Sequence, residues 1–265
     1  MTAEDSRRPL DAAILRDDVT AASPLWRQLD VVSETGSTNA DLIARAAAGE
    51  DIAGAVLITE HQSAGRGRQG RSWSDVPGAQ ITMSVGVDAS GVATESWGWL
   101  TLATGVAVVD AVRAITGVEA GLKWPNDVLA GGGKLAGILA EVAAPQQYVV
   151  VGLGLNVTLR SDEIGTPEAR SLSELGVASP DRHQLIVELL RRLSERIVEW
   201  KNADAKLAAA YRAHCLTIGA DVRAILPDGS EVVGVAKFVD DQGRLGIESN
   251  GQMKAVSAGD VIHLR

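Results

Sequence analysis

The run Tyr148-Val149-Val150-Val151-Gly152-Leu153-Gly154-Leu155 constrains the fold more than any other stretch of this chain. A strand with one wet face alternates apolar and polar residues, whereas three consecutive valines leave neither face for water. Such a strand belongs inside a sheet, and the rest of the sequence must cover it on both sides. Residues 55–59 and 81–87, rich in β-branched side chains, read as further strands. Residues 97–115 are apolar and long enough for a core helix. Between 181 and 200, Leu185, Ile186, Leu189, Leu190, Leu193, Ile197 and Trp200 recur at helical spacing opposite Arg191, Arg192, Glu195 and Arg196, which predicts a helix packed on one side.

Shorter signals fill the gaps. After Val31 and Val32, Thr38 is placed to cap a helix, with Asp41 three residues on, Leu42, Ile43, Ala46 and Ala47 as its stripe and Gly49 ending it. Apolar runs at 122–129 and 135–142 flank Gly131-Gly132-Gly133, the pattern of a hairpin. Residues 25–214 therefore read as one α+β domain, a mixed β-sheet flanked by helices. From 217 to 265 short β-branched runs are punctuated by Pro227-Asp228-Gly229, Asp241-Gln242-Gly243 and Asn250-Gly251, which predicts a small separate β-barrel. Residues 1–24 lack sustained periodicity and read as a short appendage, too few for the three helices of a helix-turn-helix domain.

Charge and cysteine content narrow the function classes. A formal charge of -9 repels polyanions at long range, so no nucleic-acid partner is expected. Cys215 is the single cysteine, which rules out an intramolecular disulfide and points to a reducing cytoplasm. MTAEDSRRPL places acids and a proline where a secretory signal needs a basic start and an apolar run, and the apolar stretch 100–109 is broken by Asp110 and Arg113. Neither a signal peptide nor a membrane partner is expected.

Three segments carry chemistry. Gly65-Arg66-Gly67-Arg68-Gln69-Gly70-Arg71 satisfies G-x-G-x-x-G by letter, but Arg71-Ser72-Trp73-Ser74-Asp75-Val76-Pro77-Gly78 cannot open the helix that a dinucleotide fingerprint requires. Glycines that admit close backbone approach and guanidinium forks that match phosphate or carboxylate fit an anion-binding loop; on spacing alone, a solvated basic loop fits equally. Lys123-Trp124-Pro125-Asn126-Asp127 alone is ordinary turn chemistry. Lys134 opens the returning strand ahead of Gly137 and Glu141, so Lys123, Asp127 and Lys134 can converge. Gly133-Lys134 is not a P-loop, because Leu135 stands where Ser or Thr is needed and Val128 where the first glycine is needed. Gly152-Leu153-Gly154-Leu155-Asn156 marks either a close ligand approach or tight packing.

In order, Ser37-Thr38-Asn39, residues 65–71, residues 123–127, Lys134-Leu135-Ala136-Gly137-Ile138-Leu139-Ala140-Glu141 and residues 152–156 resemble the biotin–protein ligase family. The resemblance spans residues 30–265 and implies a class II synthetase-like catalytic domain with a Src-homology-3-like C-terminal barrel, in the form without an N-terminal DNA-binding domain. It implies ATP-dependent activation of biotin to biotinyl-5'-AMP, with Mg²⁺, followed by transfer to a lysine of the biotin carboxyl carrier domain of an acyl-CoA or pyruvate carboxylase. Ser37, Thr38, Asn39, Gln62, Gly65 and Gly137 would hold biotin together with Arg66, Arg68 and Lys134. Arg68, Arg71, Trp73, Lys123, Asn126, Gly152, Gly154 and Asn156 would hold ATP, with Trp73 near adenine. Arg66, Arg68, Lys134 and Asp127 would be catalytic; no residue is assigned to the metal. Asp127 either positions or deprotonates the acceptor amine, or orients Lys134 or Lys123 as an ion pair. The alternatives are a lipoate ligase, whose dithiolane would prefer an apolar wall to Ser37, Thr38 and Gln62, and a non-catalytic ligand-binding regulator.

Overall fold

The computed structural model describes residues 7–144, 147–164 and 166–264. The first six residues of the MTAEDSRRPL segment lie outside the described residues. In chain order the elements are α1 (Ala12–Ala22), β1 (Gln28–Val32), α2 (Thr38–Ala47), β2 (Ala55–Thr59), β3 (Gln80–Asp88), α3 (Trp99–Thr116), β4 (Gly121–Lys123), β5 (Asp127–Ala130), β6 (Gly133–Ala143), β7 (Tyr148–Asn156), α4 (Ser161–Ile164), α5 (Arg182–Lys201), α6 (Ala205–His214), β8 (Asp221–Ile225), β9 (Glu231–Val239), β10 (Leu245–Ser249), β11 (Gln252–Val256) and β12 (Asp260–His263).

The valine strand is β7, and it lies at the centre of a seven-stranded sheet of order β1-β2-β3-β7-β6-β5-β4. Only β1 and β2 pair in parallel; the other pairs are antiparallel, so the sheet is mixed. One face carries Val149, Val151, Leu153 and Leu155 into the large core beneath α3 and α5, which pack on each other. The other face presents Val150 to Leu42 and Ala46 of α2. Continuous apolarity is thus explained by cover on both sides.

α2 is capped by Ser37, whose Oγ accepts from Ala40 N, rather than by Thr38. That one-residue shift frees the Thr38 hydroxyl for the site. Residues 94–116 are long and apolar enough to cross a membrane by length and composition, more than the interrupted run 100–109 suggested, but 67% of an 18-residue apolar window within them is buried against the protein's own core. α5 starts at the Asp181 cap, which accepts from His183 N and Gln184 N.

Besides the four-residue α4, two helices escaped the sequence pattern. α1, within the stretch read as aperiodic, buries only Leu15 and Val19, and α6 only Leu207 and Tyr211. Two buried residues per helix leave too weak a stripe to detect.

The C-terminal strands form a five-stranded antiparallel sheet of order β11-β10-β9-β8-β12, with the three expected turns between β8 and β9, β9 and β10, and β10 and β11. Gly229, Gly243 and Gly251 adopt φ of 82°, 76° and 73°, where a side chain would be strained. This sheet docks on the larger one through two indoles: Trp99 Nε1 donates to Asp241 O at 2.8 Å and Trp124 Nε1 to Gly243 O at 2.9 Å.

Candidate active site

The site exists because the sheet runs out of side chains on its α2 face. There β7 passes from Val150 to Gly152 and Gly154, and the register sets Gly154 between Thr82 of β3 and Gly137 of β6, and Gly152 between Ser84 and Leu139. A Cβ at Gly154 would lie 2.4 Å from Cε2 of Trp73, and one at Gly137 would lie 2.9 Å from its Cζ3; at Gly152 it would meet Asn39 Oδ1 at 2.3 Å. The indole of Trp73 and the amide of Asn39 therefore rest on bare backbone. Above this floor is a cavity of ≈ 290 Å³.

At one end of the cavity a chain of hydrogen bonds fixes small polar groups. Gln62 Oε1 accepts from Thr38 N at 2.9 Å and from Thr38 Oγ1 at 3.1 Å; since a backbone N–H can only donate, the amide orientation is settled and Nε2 is left with no protein partner among the described residues. The Thr38 and Ser84 hydroxyls are 2.6 Å apart, and Ser84 Oγ donates to Asn39 Oδ1 at 2.6 Å. Asn39 Nδ2 then donates to Leu139 O and to Glu141 Oε2.

Cations gather from that end, where Arg66 shares Glu141 with Asn39, across to the opposite one. Lys134 Nζ is 2.6 Å from Asp127 Oδ1 and 5.6 Å from the centroid of Trp73. Arg66 Nη2 meets Glu141 Oε2 at 3.3 Å, and Arg71 meets Asp260 of β12 at 2.6 Å. Arg68 differs. Its Nη1 donates to Asn126 Oδ1 at 3.2 Å and its Nη2 to Gly259 O at 3.3 Å, both uncharged acceptors. Burial depresses its pKa, nearby Arg71 adds to the effect, and Asp260 and Asp127 partly offset it. It stays protonated, as arginine does in proteins, so the site holds a desolvated cation without a bonded counterion.

Of the residues singled out in the sequence, Ser37, Thr38, Asn39, Gln62, Arg66, Arg68, Arg71, Trp73, Lys123, Asn126, Asp127, Lys134, Gly137, Gly152 and Gly154 line this one cavity. Two do not. Gly65 is a packing position, where a Cβ would lie 2.5 Å from Trp73 O. Asn156 is 2% exposed: Oδ1 accepts from Gln80 Nε2, and Nδ2 donates to Lys134 O and Arg170 O. It braces the Lys134 backbone. Trp124 is fully buried, with N donating to Thr217 Oγ1, so the aromatic of the 123–127 turn joins the two sheets. Lys123 and Asp127 are paired across the β4–β5 turn. Sequence reasoning missed Ser84, Thr82, Asp75 and the barrel residues Ile225, Asp260, Val261 and Ile262. The alternation of β3 would have placed Thr82 and Ser84 on one face; no local signal marks the barrel residues.

Residues 37–156 match the Biotin/lipoate A/B protein ligase family, and residues 217–264 match the Biotin protein ligase C terminal domain. The chain is 58% identical to the biotin–[acetyl-CoA-carboxylase] ligase of Mycobacterium tuberculosis over 100% of both chains. It is 30% identical to the bifunctional ligase/repressor BirA of Escherichia coli over 91% of this chain and 77% of that one. Among solved structures, a biotin protein ligase from Aquifex aeolicus in complex with biotin and ATP superposes with a TM-score of 0.78 at 26% identity, covering 90% of this chain and 99% of the other. With both of its segments matched and a relative alike from end to end, the chain belongs to the biotin/lipoate A/B protein ligase family, among its biotin–protein ligases.

Proposed function

We propose that this chain joins biotin to the acceptor lysine of a biotin carboxyl carrier domain, that of an acyl-CoA or pyruvate carboxylase, in the cytoplasm. Residues 25–214 are the catalytic domain and 217–265 the barrel domain. In the first step a biotin carboxylate oxygen attacks the α-phosphorus of ATP, giving biotinyl-5'-AMP and pyrophosphate. In the second, the lysine amine attacks the acyl carbon, AMP leaves, and one proton is released.

The observation that carries this reading is Arg68, a half-buried guanidinium bonded only to neutral acceptors. Such a group is stabilised by an arriving anion more than a guanidinium already paired with a carboxylate. It lies in the same cavity as Gln62, whose free Nε2 can donate to the ureido oxygen. Arg66 and Lys134 then meet the biotin carboxylate and the charge that gathers at phosphorus, while Trp73 packs near adenine with Lys123, Asn126 and Arg71 on the nucleotide side. Mg²⁺ would accompany the phosphate oxygens of ATP, and no residue is assigned to it.

Transfer requires a neutral amine. With a reference pKa of about 10.4, roughly one lysine in 2,500 is neutral at pH 7, a deficit of about 4.6 kcal/mol. The 2.6 Å contact between Lys134 and Asp127 favours Asp127 as the partner that orients Lys134. A base role for Asp127 would require that pair to open once the carrier docks.

The test is incubation with ATP, Mg²⁺, biotin and a carrier domain, read by streptavidin blot, with ATP omitted as control. Lipoate replaces biotin in a parallel reaction. A polar ring pocket built from Ser37, Thr38 and Gln62 favours a ureido group over a dithiolane. Ligation of lipoate in place of biotin would overturn the assignment.

A further inference from the structure

The arginine loop does not end its work at Trp73. Two residues on, Asp75 Oδ2 accepts from Gln62 N at 2.8 Å and from Thr82 Oγ1 at 3.2 Å. Gln62 is the residue whose Oε1 is occupied by Thr38 and whose Nε2 is left for a ligand. Between Asp75 and Gln62 the loop closes on itself, since Trp73 N donates to Gly65 O at 2.9 Å and a Cβ on Gly65 would sit 3.0 Å from Gln62 Nε2. One carboxylate thus fastens the loop to the backbone of the ring-pocket amide.

Asp75 is poorly placed for a residue whose only task is to end a surface loop. Its Oδ1 is buried without a hydrogen-bond partner. Burial raises its pKa against the pull of Gln62 N, Thr82, His61 and Arg182. A buried carboxylate with one oxygen unmet costs stability, and such a cost points to a task at the site.

We infer that Asp75 is a positioning residue for recognition of the biotin ring, acting by holding the Gln62 backbone so that Nε2 meets the ureido group. This rests on the biotin-ligase reading given above. The role requires an acceptor oxygen at this position and does not require its charge.

The test compares steady-state ligation to a carrier domain by the wild type, Asp75→Ala, Asp75→Asn, Gln62→Ala and the Asp75→Ala/Gln62→Ala double variant. Asp75→Ala should raise the biotin KM at least about tenfold, with kcat and the ATP KM within about twofold, because only ground-state alignment of one substrate is lost. Asp75→Asn keeps an acceptor oxygen and should stay within about threefold of wild type. In the Gln62→Ala background, removal of Asp75 should add less than about threefold, the signature of two residues acting through one contact. Should Asp75→Ala fail to fold, Asp75→Ser, with a hydroxyl too short to reach Gln62 N, takes its place under the same expectations. A wild-type biotin KM in the alanine variant, equal impairment in Asp75→Asn, or an undiminished penalty in the double variant would each overturn the inference. Failure of the wild type to ligate biotin would instead overturn the ligase reading, so the two failures are distinguishable.

Discussion

Replacing Arg68 by glycine should turn a selective ligase into one that leaks its reactive intermediate. Arg68 fastens the loop to both sheets: Nη1 to Asn126 Oδ1 at 3.2 Å and Nη2 to Gly259 O at 3.3 Å. Hydrogen bonds from a charged group contribute roughly 1.5–3 kcal/mol each, and these two are long, so the low end applies and their sum is about 3 kcal/mol. At about 1.4 kcal/mol per decade, loop opening should become easier by about a hundredfold. On the proposed reading, loss of the guanidinium that faces the adenylate phosphate adds to the escape. Biotinyl-5'-AMP released into solution acylates any neutral amine, so the assay is the ratio of biotin on a carrier domain to biotin on serum albumin, read by streptavidin blot. That ratio should fall by one to two orders of magnitude in Arg68→Gly, at that level of opening. Lys134→Ala provides the contrast: ligation should fall without labelling of albumin, because less adenylate forms while the loop remains fastened. If Arg68→Gly transfers biotin as selectively as the wild type, the loop is not a lid.

Three further substitutions probe the surroundings. Gly154→Ala places a Cβ 2.4 Å from the indole of Trp73, about 1 Å inside contact, and because β7 is the central strand the indole must give way; the ATP KM should rise about tenfold, and an unchanged KM would show that the floor does not position the aromatic. Trp124→Phe leaves Gly243 O without its 2.9 Å donor and should cost about 1–2 kcal/mol in urea unfolding, with little change if the barrel docks independently of this bond. His263 is held below its usual pKa by burial and by Lys123, so on acidification the unfolded chain takes up the proton first and stability falls as pH drops below about 6.5. His263→Gln should flatten the melting-temperature profile between about pH 7 and 5.5, and an unaltered slope would assign the acid sensitivity elsewhere.

Sequence pattern revealed what depends on local repetition. β7, α3 and α5 were legible because burial on one or two faces writes itself as an unbroken or periodic apolar run, and the barrel turns because Gly229, Gly243 and Gly251 sit where φ is positive. No site segment was decisive by itself, since the arginine loop fits a solvated loop and residues 123–127 an ordinary turn; their order along the chain made the site legible. α1 and α6 were hidden because their burial is confined to two side chains each. The protein contacts of Asn156 were hidden for a different reason: its partners Gln80, Lys134 and Arg170 converge only in the folded sheet. Likewise nothing near residue 260 announces that a barrel carboxylate meets Arg71 of the loop, 189 positions earlier.

The pairing of charges bears on how binding energy reaches the reaction. Arg66, Arg71 and Lys134 each have a carboxylate partner, in Glu141, Asp260 and Asp127, which limits the cost of gathering cations in one cavity. On the proposed reading these pairs loosen only when a stronger anion competes for the cation. Ground-state biotin and ATP bring one carboxylate and the phosphates, and in the transition state, at unchanged total charge, negative charge shifts onto the α-phosphate oxygens and the leaving bridging oxygen. Cations released from pairs late in the reaction therefore favour the transition state over the bound substrates, which is the condition for raising kcat rather than merely lowering KM. Arg68, unpaired from the start, serves the earlier task of drawing the anions in. A site in which Arg66, Arg71 and Lys134 were also unpaired would bind substrates more tightly and gain less rate from them.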